Sequence, residues 1–280
     1  MPEAYTVSRR LLAHYRRTAR DLPWRRTRDP YRVLVSEVML QQTQASRVTP
    51  AFDRFVRRFP TLAALAAAPL GAVLREWSGL GYNRRARDLH RIARLSTGGL
   101  PRTVAGLDAL PGIGAYTAGA IACFAFGQRV PFADTNIQRV LGRFFLGRPA
   151  TNNEAIGLDA RAMPKRSSDL WHHALMDLGA SICTPRDPRC SVCPLREGCK
   201  ARGPAGPAAS SLPTGALRPA AYMDTDRRVR GAIVRALTRS DLTIRALAKE
   251  IGDERVGRLT EALVADGLVE RAGRRYRLPL

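Results

Sequence analysis

Acidic residues are scarce in this chain: its 280 residues hold 24 Asp and Glu against 46 Lys and Arg, a formal charge of +22. An excess of that size points to a polyanionic partner, nucleic acid or an acidic membrane surface. Lysine is rarer still, occurring only at Lys165, Lys200 and Lys249. A GC-rich genome can favour Arg over Lys, but no base composition demands an imbalance of charge. Long apolar runs are also missing. None approaches the ~20 residues that span a bilayer, and the first residues lack a signal-peptide core, so the expectation is a soluble intracellular protein. Alternating β-branched runs are few, which argues against an all-β fold. Cysteine is limited to five residues. Four of these fall between Cys183 and Cys199, which in an intracellular basic protein suggests metal rather than disulfides. The fifth, Cys123, sits in the apolar "AIACFAFG" and reads as a small core residue.

Leu, Ala, Val and Arg recur at helical spacing up to about residue 200, interrupted by breakers at Asp29-Pro30, Phe59-Pro60, Ala68-Pro69, Gly98 to Pro101, Leu110 to Gly112 and Arg148-Pro149. Many short helices joined by tight turns predict an all-α enzyme. Residues 201–222, rich in Pro, Gly, Ala and Ser, read as a linker. Residues 223–280 then read as three helices, "DRRVRGAIVRAL", "TIRALAKEIG" and "ERVGRLTEALVADG", followed by a β-hairpin around Ala272-Gly273. That order resembles a winged helix-turn-helix, an α+β module that binds DNA or docks proteins. As a DNA reader it would use Arg255 and Arg258 on the second helix of the pair, with Arg271, Arg274, Arg275 and Arg277 in the wing.

Four local patterns carry chemistry. The cysteines are spaced Cys183-x6-Cys190-x2-Cys193-x5-Cys199, which suits either zinc or an iron–sulfur cluster. Glu37 stands alone in the apolar "VLVSEVML", where it is either the wet residue of an amphipathic helix or a carboxyl kept out of water for a purpose. "LPGIG", Leu110 to Gly114, precedes a helical segment, so that Gly112 and Gly114 can expose backbone N–H groups to a phosphate. It could equally be an ordinary helix–helix turn. Asp134, in "VPFADTNIQRVLGR", reads by itself as a helix N-cap.

Taken together and in this order, the cysteine loop, the glycine hairpin and Asp134 resemble the helix-hairpin-helix/GPD superfamily of DNA glycosylases, and the cysteine spacing looks like that superfamily's [4Fe–4S] loop. The resemblance spans nearly all of residues 20–200. It is closest to the MutY-type adenine DNA glycosylases in "LPWR" (Leu22 to Arg25), "DPY", "SEVMLQQTQ" (Ser36 to Gln44), "GLGY" (Gly79 to Tyr82), "RARDLH", "PGIGAYTAGAI" and "MDLGASIC". It implies a two-lobed helical domain over residues 1–200 and a [4Fe–4S] cluster on Cys183, Cys190, Cys193 and Cys199. It also implies a monomer that works on mismatched or damaged double-stranded DNA, in the cytoplasm on the nucleoid. Glu37 would protonate the leaving adenine and Asp134 would stabilise the cationic sugar, two carboxylates dividing the work as in glycoside hydrolysis. Asn136 would orient Asp134 or the attacking water. Gln42 would fill the hole left by the flipped base, Tyr82 would wedge beside the opposing base, and Arg25, Gly112 and Gly114 would contact DNA.

Bifunctional relatives such as endonuclease III carry a Schiff-base lysine where this chain has Tyr116, which implies a monofunctional enzyme in which Tyr116 belongs to the catalytic site and supports Asp134 or the flipped nucleotide by hydrogen bonding. Three departures from the MutY-type pattern remain. "DTN" at 134–136 replaces Asp-Gly-Asn, and Asn83 stands where a second Tyr is common. Residues 223–280 are too short for the Nudix-like domain that recognises 8-oxoguanine. Mismatch thymine/uracil glycosylases of the same superfamily lack that domain too and share "PWRRTRDPY", so they form the alternative. A non-catalytic Fe–S DNA-binding regulator is the alternative from another class.

Overall fold

The computed structural model describes residues 2–202 and 225–280. Most of the expected linker, 203–222, lies outside the described residues. The first helices are α1 (Pro2–Thr18), α2 (Pro30–Leu40), α3 (Ala45–Arg58), α4 (Leu62–Ala67), α5 (Leu70–Glu76), α6 (Arg84–Leu95) and α7 (Val104–Asp108). They are followed by α8 (Ala115–Phe124), α9 (Thr135–Leu146), α10 (Asn152–Ala162) and α11 (Ser168–Ser181). The C-terminal part holds α12 (Asp226–Leu237), β1 (Leu242–Thr243), α13 (Ile244–Ile251), α14 (Val256–Ala265), β2 (Glu270–Ala272) and β3 (Arg275–Arg277).

Two compact units form, neither continuous in sequence. One combines Met1–Pro30, Arg102–Asp108 and Ile113–Thr214; the other combines Tyr31–Pro101, Ala109–Gly112 and Gly215–Leu280. The helical part of the chain is thus shared between two units, and the C-terminal module belongs to the second.

Local chemistry sets the ends of the elements. Thr151 and Glu154 close a reciprocal capping box on α10. Asp134 caps α9, whose other end turns through Gly147 at φ +79, a left-handed value that favours glycine. In the first unit α9 packs on α10 and α11, and α1 on α11. In the second, Phe55, Phe59 and Trp77 meet edge to face inside a core closed by Leu65, Leu74 and Leu89. Each such side chain contributes about 1.5–3 kcal/mol by leaving water.

The C-terminal module has the expected helices and hairpin. It also has a short strand, β1, absent from the sequence reading, which gives an antiparallel sheet of order β1-β3-β2 with Tyr276 opposite both Leu242 and Arg271. Within the second unit the module is seated on the helices before it. The Pro279 carbonyl accepts from Gly71 N at 2.7 Å. A Cβ at Gly71 would lie 2.5 Å from that oxygen, so only glycine permits the contact. Asp266, at the end of α14, takes ion pairs from Arg84 of α6 and Arg230 of α12.

Candidate active site and cysteine loop

Helix α2 is buried almost all round, from Tyr31 through Met39. Glu37 is 6% exposed, and Val33, Leu34, Val35, Val38 and Met39 beside it are no more than 3% exposed. The wet-face reading of Glu37 therefore fails, because this helix has no wet face at that position.

The chain leaves α2 through Gln42, which is exposed and has φ +55. Tyr82, at the end of "GLGY", has φ +50. Among the described residues only these two and Ser167 combine a side chain with positive φ. Left-handed backbone in a non-glycine residue costs of order 1–3 kcal/mol and persists only where its surroundings impose it. Here Arg85 imposes it. Its guanidinium donates to the carbonyls of Val38 and Met39 at 3.0 and 2.9 Å, to that of Gln41, to Thr43 Oγ1 at 3.1 Å and to the Gly81 carbonyl at 3.0 Å. It lies over the rings of Trp77 and Tyr82. One cation thus satisfies the last carbonyls of α2, which have no helical partner, and ties the Gln42 turn to the Tyr82 turn. Burial lowers the pKa of Arg85 to about 10, with Tyr82 acting in the opposite sense. Arg85 was not singled out in the sequence. The available signal was an arginine on the same helical face as the buried Leu89, Ile92 and Ala93.

Gly112 is exposed, with φ +71, and a Cβ there would stand 3.1 Å from the Asp88 carboxylate. Its carbonyl accepts from Gln41 Nε2 at 3.2 Å. Gly114, also exposed, is the N-cap of α8.

In the first unit, Asp134 sits at the start of α9. Its Oδ1 accepts from Ile137 N at 2.8 Å and its Oδ2 from Asn136 Nδ2 at 2.7 Å. Asn136 is fixed in turn: its Oδ1 accepts from Arg139 at 2.7 Å, and Arg139 also donates to the carbonyls of Gly179 at 2.7 Å and Cys183 at 2.6 Å. A Cβ at Gly179 would fall 2.6 Å from Asn136 Cβ, so the glycine of "MDLGASIC" is what lets α11 approach α9. The hydrogen bonds run unbroken from the first cysteine of the loop to the Asp134 carboxylate. Arg139, like Arg85, carried no prediction. Tyr116, in the first turn of α8, bonds Met176 Sδ at 3.6 Å and meets Phe132 edge to face.

Phe132, two residues before Asp134, stacks on His172 at 3.9 Å and donates its backbone N–H to Asp159 at 3.2 Å. Asp159 also accepts from Trp171 Nε1 at 2.6 Å and pairs with His172 Nε2 at 2.8 Å, and both charged partners are fully buried. Burial would lower the His172 pKa. The hydrogen bond that His172 donates to Asp159 outweighs it and, helped by Cys123, raises the group to about 9. Cys123 is a core residue, as its setting suggested.

Arg25 is placed differently from its expected DNA contact. Its side chain is 8% exposed, both terminal nitrogens hold Asp177 at 2.8 and 2.9 Å, and the guanidinium lies over the Tyr15 ring. It secures the join of α1, the "PWR" turn and α11 rather than presenting a charge at the surface.

Cys183, Cys190, Cys193 and Cys199 border one cavity with apolar walls that include Val140, Phe144, Leu178 and Leu195. Arg143 donates to the carbonyls of Thr184 and Pro185 at 2.7 and 2.9 Å, closing the loop over it. Burial raises the Cys193 thiol to about 11, and the other three sulfurs act in the same direction. Four cysteines lining one apolar cavity are the donor set that a [4Fe–4S] cluster takes.

Comparison with known proteins is consistent with this arrangement. Residues 35–161 match the HhH-GPD superfamily base excision DNA repair protein family. The adenine DNA glycosylase of Mycobacterium tuberculosis is 42% identical over 287 aligned residues, covering 96% of this chain and 92% of that protein. The human adenine DNA glycosylase is 43% identical over 69% of this chain and 38% of its own length. The mycobacterial match therefore runs into the C-terminal module. Among solved structures, a thermostable thymine-DNA glycosylase superposes with TM-score 0.63 at 30% identity, over 71% of this chain and 95% of that one. An endonuclease III trapped as a covalent intermediate on DNA superposes with TM-score 0.59 at 25% identity, over 69% and 92%. The chain belongs to the HhH-GPD superfamily of base excision DNA repair proteins, among the adenine DNA glycosylases.

Proposed function

We propose that the protein is a monofunctional DNA glycosylase that hydrolyses the N-glycosidic bond of an adenine flipped out of a mispair with guanine or 8-oxoguanine. The observation that carries this reading is Glu37, a carboxyl buried on an apolar helix. Burial holds this carboxyl away from bulk water, and the proposed reaction needs an acid at that place. Glu37 gives that proton to a ring nitrogen of adenine. The bond from C1′ to the base then breaks, the electron pair leaves with the base, and positive charge develops on the sugar. The negative charge of Asp134 stabilises it. Water adds at C1′ and loses a proton, giving free adenine and an abasic site. Tyr116 has no amine to form a Schiff base, so the strand stays intact. Gln42 fills the vacated space, Tyr82 wedges beside the opposing base, and the N–H groups at Gly112 and Gly114 hold a phosphate. A [4Fe–4S] cluster on Cys183, Cys190, Cys193 and Cys199 would shape the loop that anchors Arg139. It supplies no step in hydrolysis. The protein acts as a monomer on double-stranded DNA in the cytoplasm, with residues 1–200 as the glycosylase domain, 201–222 as linker and 223–280 as a winged-helix module.

The likeness to a thymine-DNA glycosylase favours a second reading, excision of thymine or uracil opposite guanine. Single-turnover base release on A·8-oxoG, A·G, G·T and G·U duplexes separates the two. Release confined to the adenine duplexes is expected, and release confined to G·T and G·U would replace the first reading with the second. Borohydride should trap no protein–DNA adduct, and an adduct would remove the monofunctional assignment.

A further inference from the structure

The sequence suggested that the C-terminal module meets DNA through the second helix of its pair and its wing. On the second helix of the pair the charges are already engaged. Arg255 pairs with Asp253 at 2.8 Å and with Asp226 at 3.3 Å, and Arg258 pairs with Asp226 at 2.9 Å. Asp253 also holds Arg228 at 2.7 Å. A recognition helix whose arginines are held by neighbouring carboxylates offers DNA little net charge.

The opposite side of the module differs. Within the second unit, α12 forms one wall of two adjoining clefts of about 480 and 350 Å³, and the other wall holds Gln42, Tyr82 and Asn83. Arg47, Arg84, Arg85, Arg227, Arg230 and Arg235 line them. Arg84 and Arg230 pair with Asp266, so the charges that matter are those of Arg47, Arg227 and Arg235. Arg227 bonds the Tyr82 hydroxyl and lies over its ring at 4.8 Å. Gly231 occurs in mid-helix, where it costs about 1 kcal/mol relative to alanine. A Cβ there would meet nothing within 4 Å, so α12 carries bare backbone where it faces the clefts. The left-handed turns at Gln42 and Tyr82 thus border an arginine-lined space that the bare backbone at Gly231 leaves open.

We infer that α12, with Tyr82 and Gln42, forms the seat for the nucleotide left in the duplex opposite the excised base. Arg227 presents its guanidinium to that nucleotide, and Arg47 and Arg235 take the adjoining phosphates. Guanine and its 8-oxo derivative carry the acceptors an arginine and two side-chain amides can address. This inference rests on the glycosylase reading above. It makes the module a reader of the opposite base through its first helix, not its helix-turn-helix.

The test measures binding of the full chain to duplexes with a tetrahydrofuran abasic analogue opposite G, 8-oxoG or C, alongside adenine release from the matching substrates. Arg227→Ala and Gly231→Leu should each weaken binding opposite G and 8-oxoG at least tenfold and reduce the preference over C. Gly231→Leu should leave thermal stability unchanged or higher, which separates a blocked cleft from a damaged fold. Arg274→Ala, in the wing, should have the smaller effect. Normal binding and preference in Arg227→Ala and Gly231→Leu, or a larger loss in Arg274→Ala, would overturn the inference. If the unmodified protein releases no base from any duplex, the glycosylase reading fails instead.

Discussion

Glu37 and Asp134 carry the same functional group in opposite settings. Glu37 sits among buried valine, leucine and methionine on a helix that is buried almost all round. Asp134 caps a helix, accepts from a backbone N–H and an amide, and is held through Asn136 and Arg139. The proposed mechanism asks Glu37 to deliver a proton and Asp134 to face developing positive charge. In the proposed reading, one functional group serves as an acid at one place and as an anion at the other.

Glu37→Gln, which removes the proton but keeps shape and burial, should slow single-turnover base release by about 10²–10⁴-fold with DNA affinity kept within a few-fold. Unchanged release would end the assignment of Glu37 as acid. Asp134→Asn keeps an N-cap residue and removes the charge. It should slow release by about 10²–10³-fold while thermal unfolding changes little, because asparagine caps as well as aspartate. A large fall in stability with intact rate would mean that Asp134 is only a cap.

Arg139→Lys tests the support of the anion alone. Lysine cannot reproduce the fork that reaches Asn136, Gly179 and Cys183 together. Buried acceptors left without donors should cost about 2–4 kcal/mol in denaturant unfolding and slow release by about tenfold. Full stability in that variant would show that the hydrogen-bonded path is dispensable.

His172 provides a pH dependence. Its folded pKa is raised from 6.5 to about 9, so its stabilisation is complete below about pH 6.5 and is lost as pH rises through 9. The total is about 3 kcal/mol at 1.36 kcal/mol per unit. Urea unfolding from pH 6 to 9.5 should show that decline, and His172→Gln should flatten it.

The N-cap at Asp134, the tight turn at Gly112 and the grouping of the four cysteines were legible in the sequence because each depends on particular residue types at fixed separations. The helices of the C-terminal module were legible from apolar periodicity and from their glycine and aspartate turns. β1 was not, since two residues are too few to show alternation. Arg85 and Arg139 were hidden for another reason. Both act by donating to backbone carbonyls, and a carbonyl leaves no mark in a sequence. Arg25 misled in the opposite direction, because its partner Asp177 lies far along the chain and an arginine beside a tryptophan gives no sign of being paired.

The hold of Arg85 on two turns has a consequence for descent. The Gln42 turn and the Tyr82 turn share one guanidinium, so neither can gain or lose a residue without moving the other's anchor. Insertions that most surface loops absorb would be rejected at both places. The two turns are in effect inherited as a single part, with its dimensions set by the reach of one arginine.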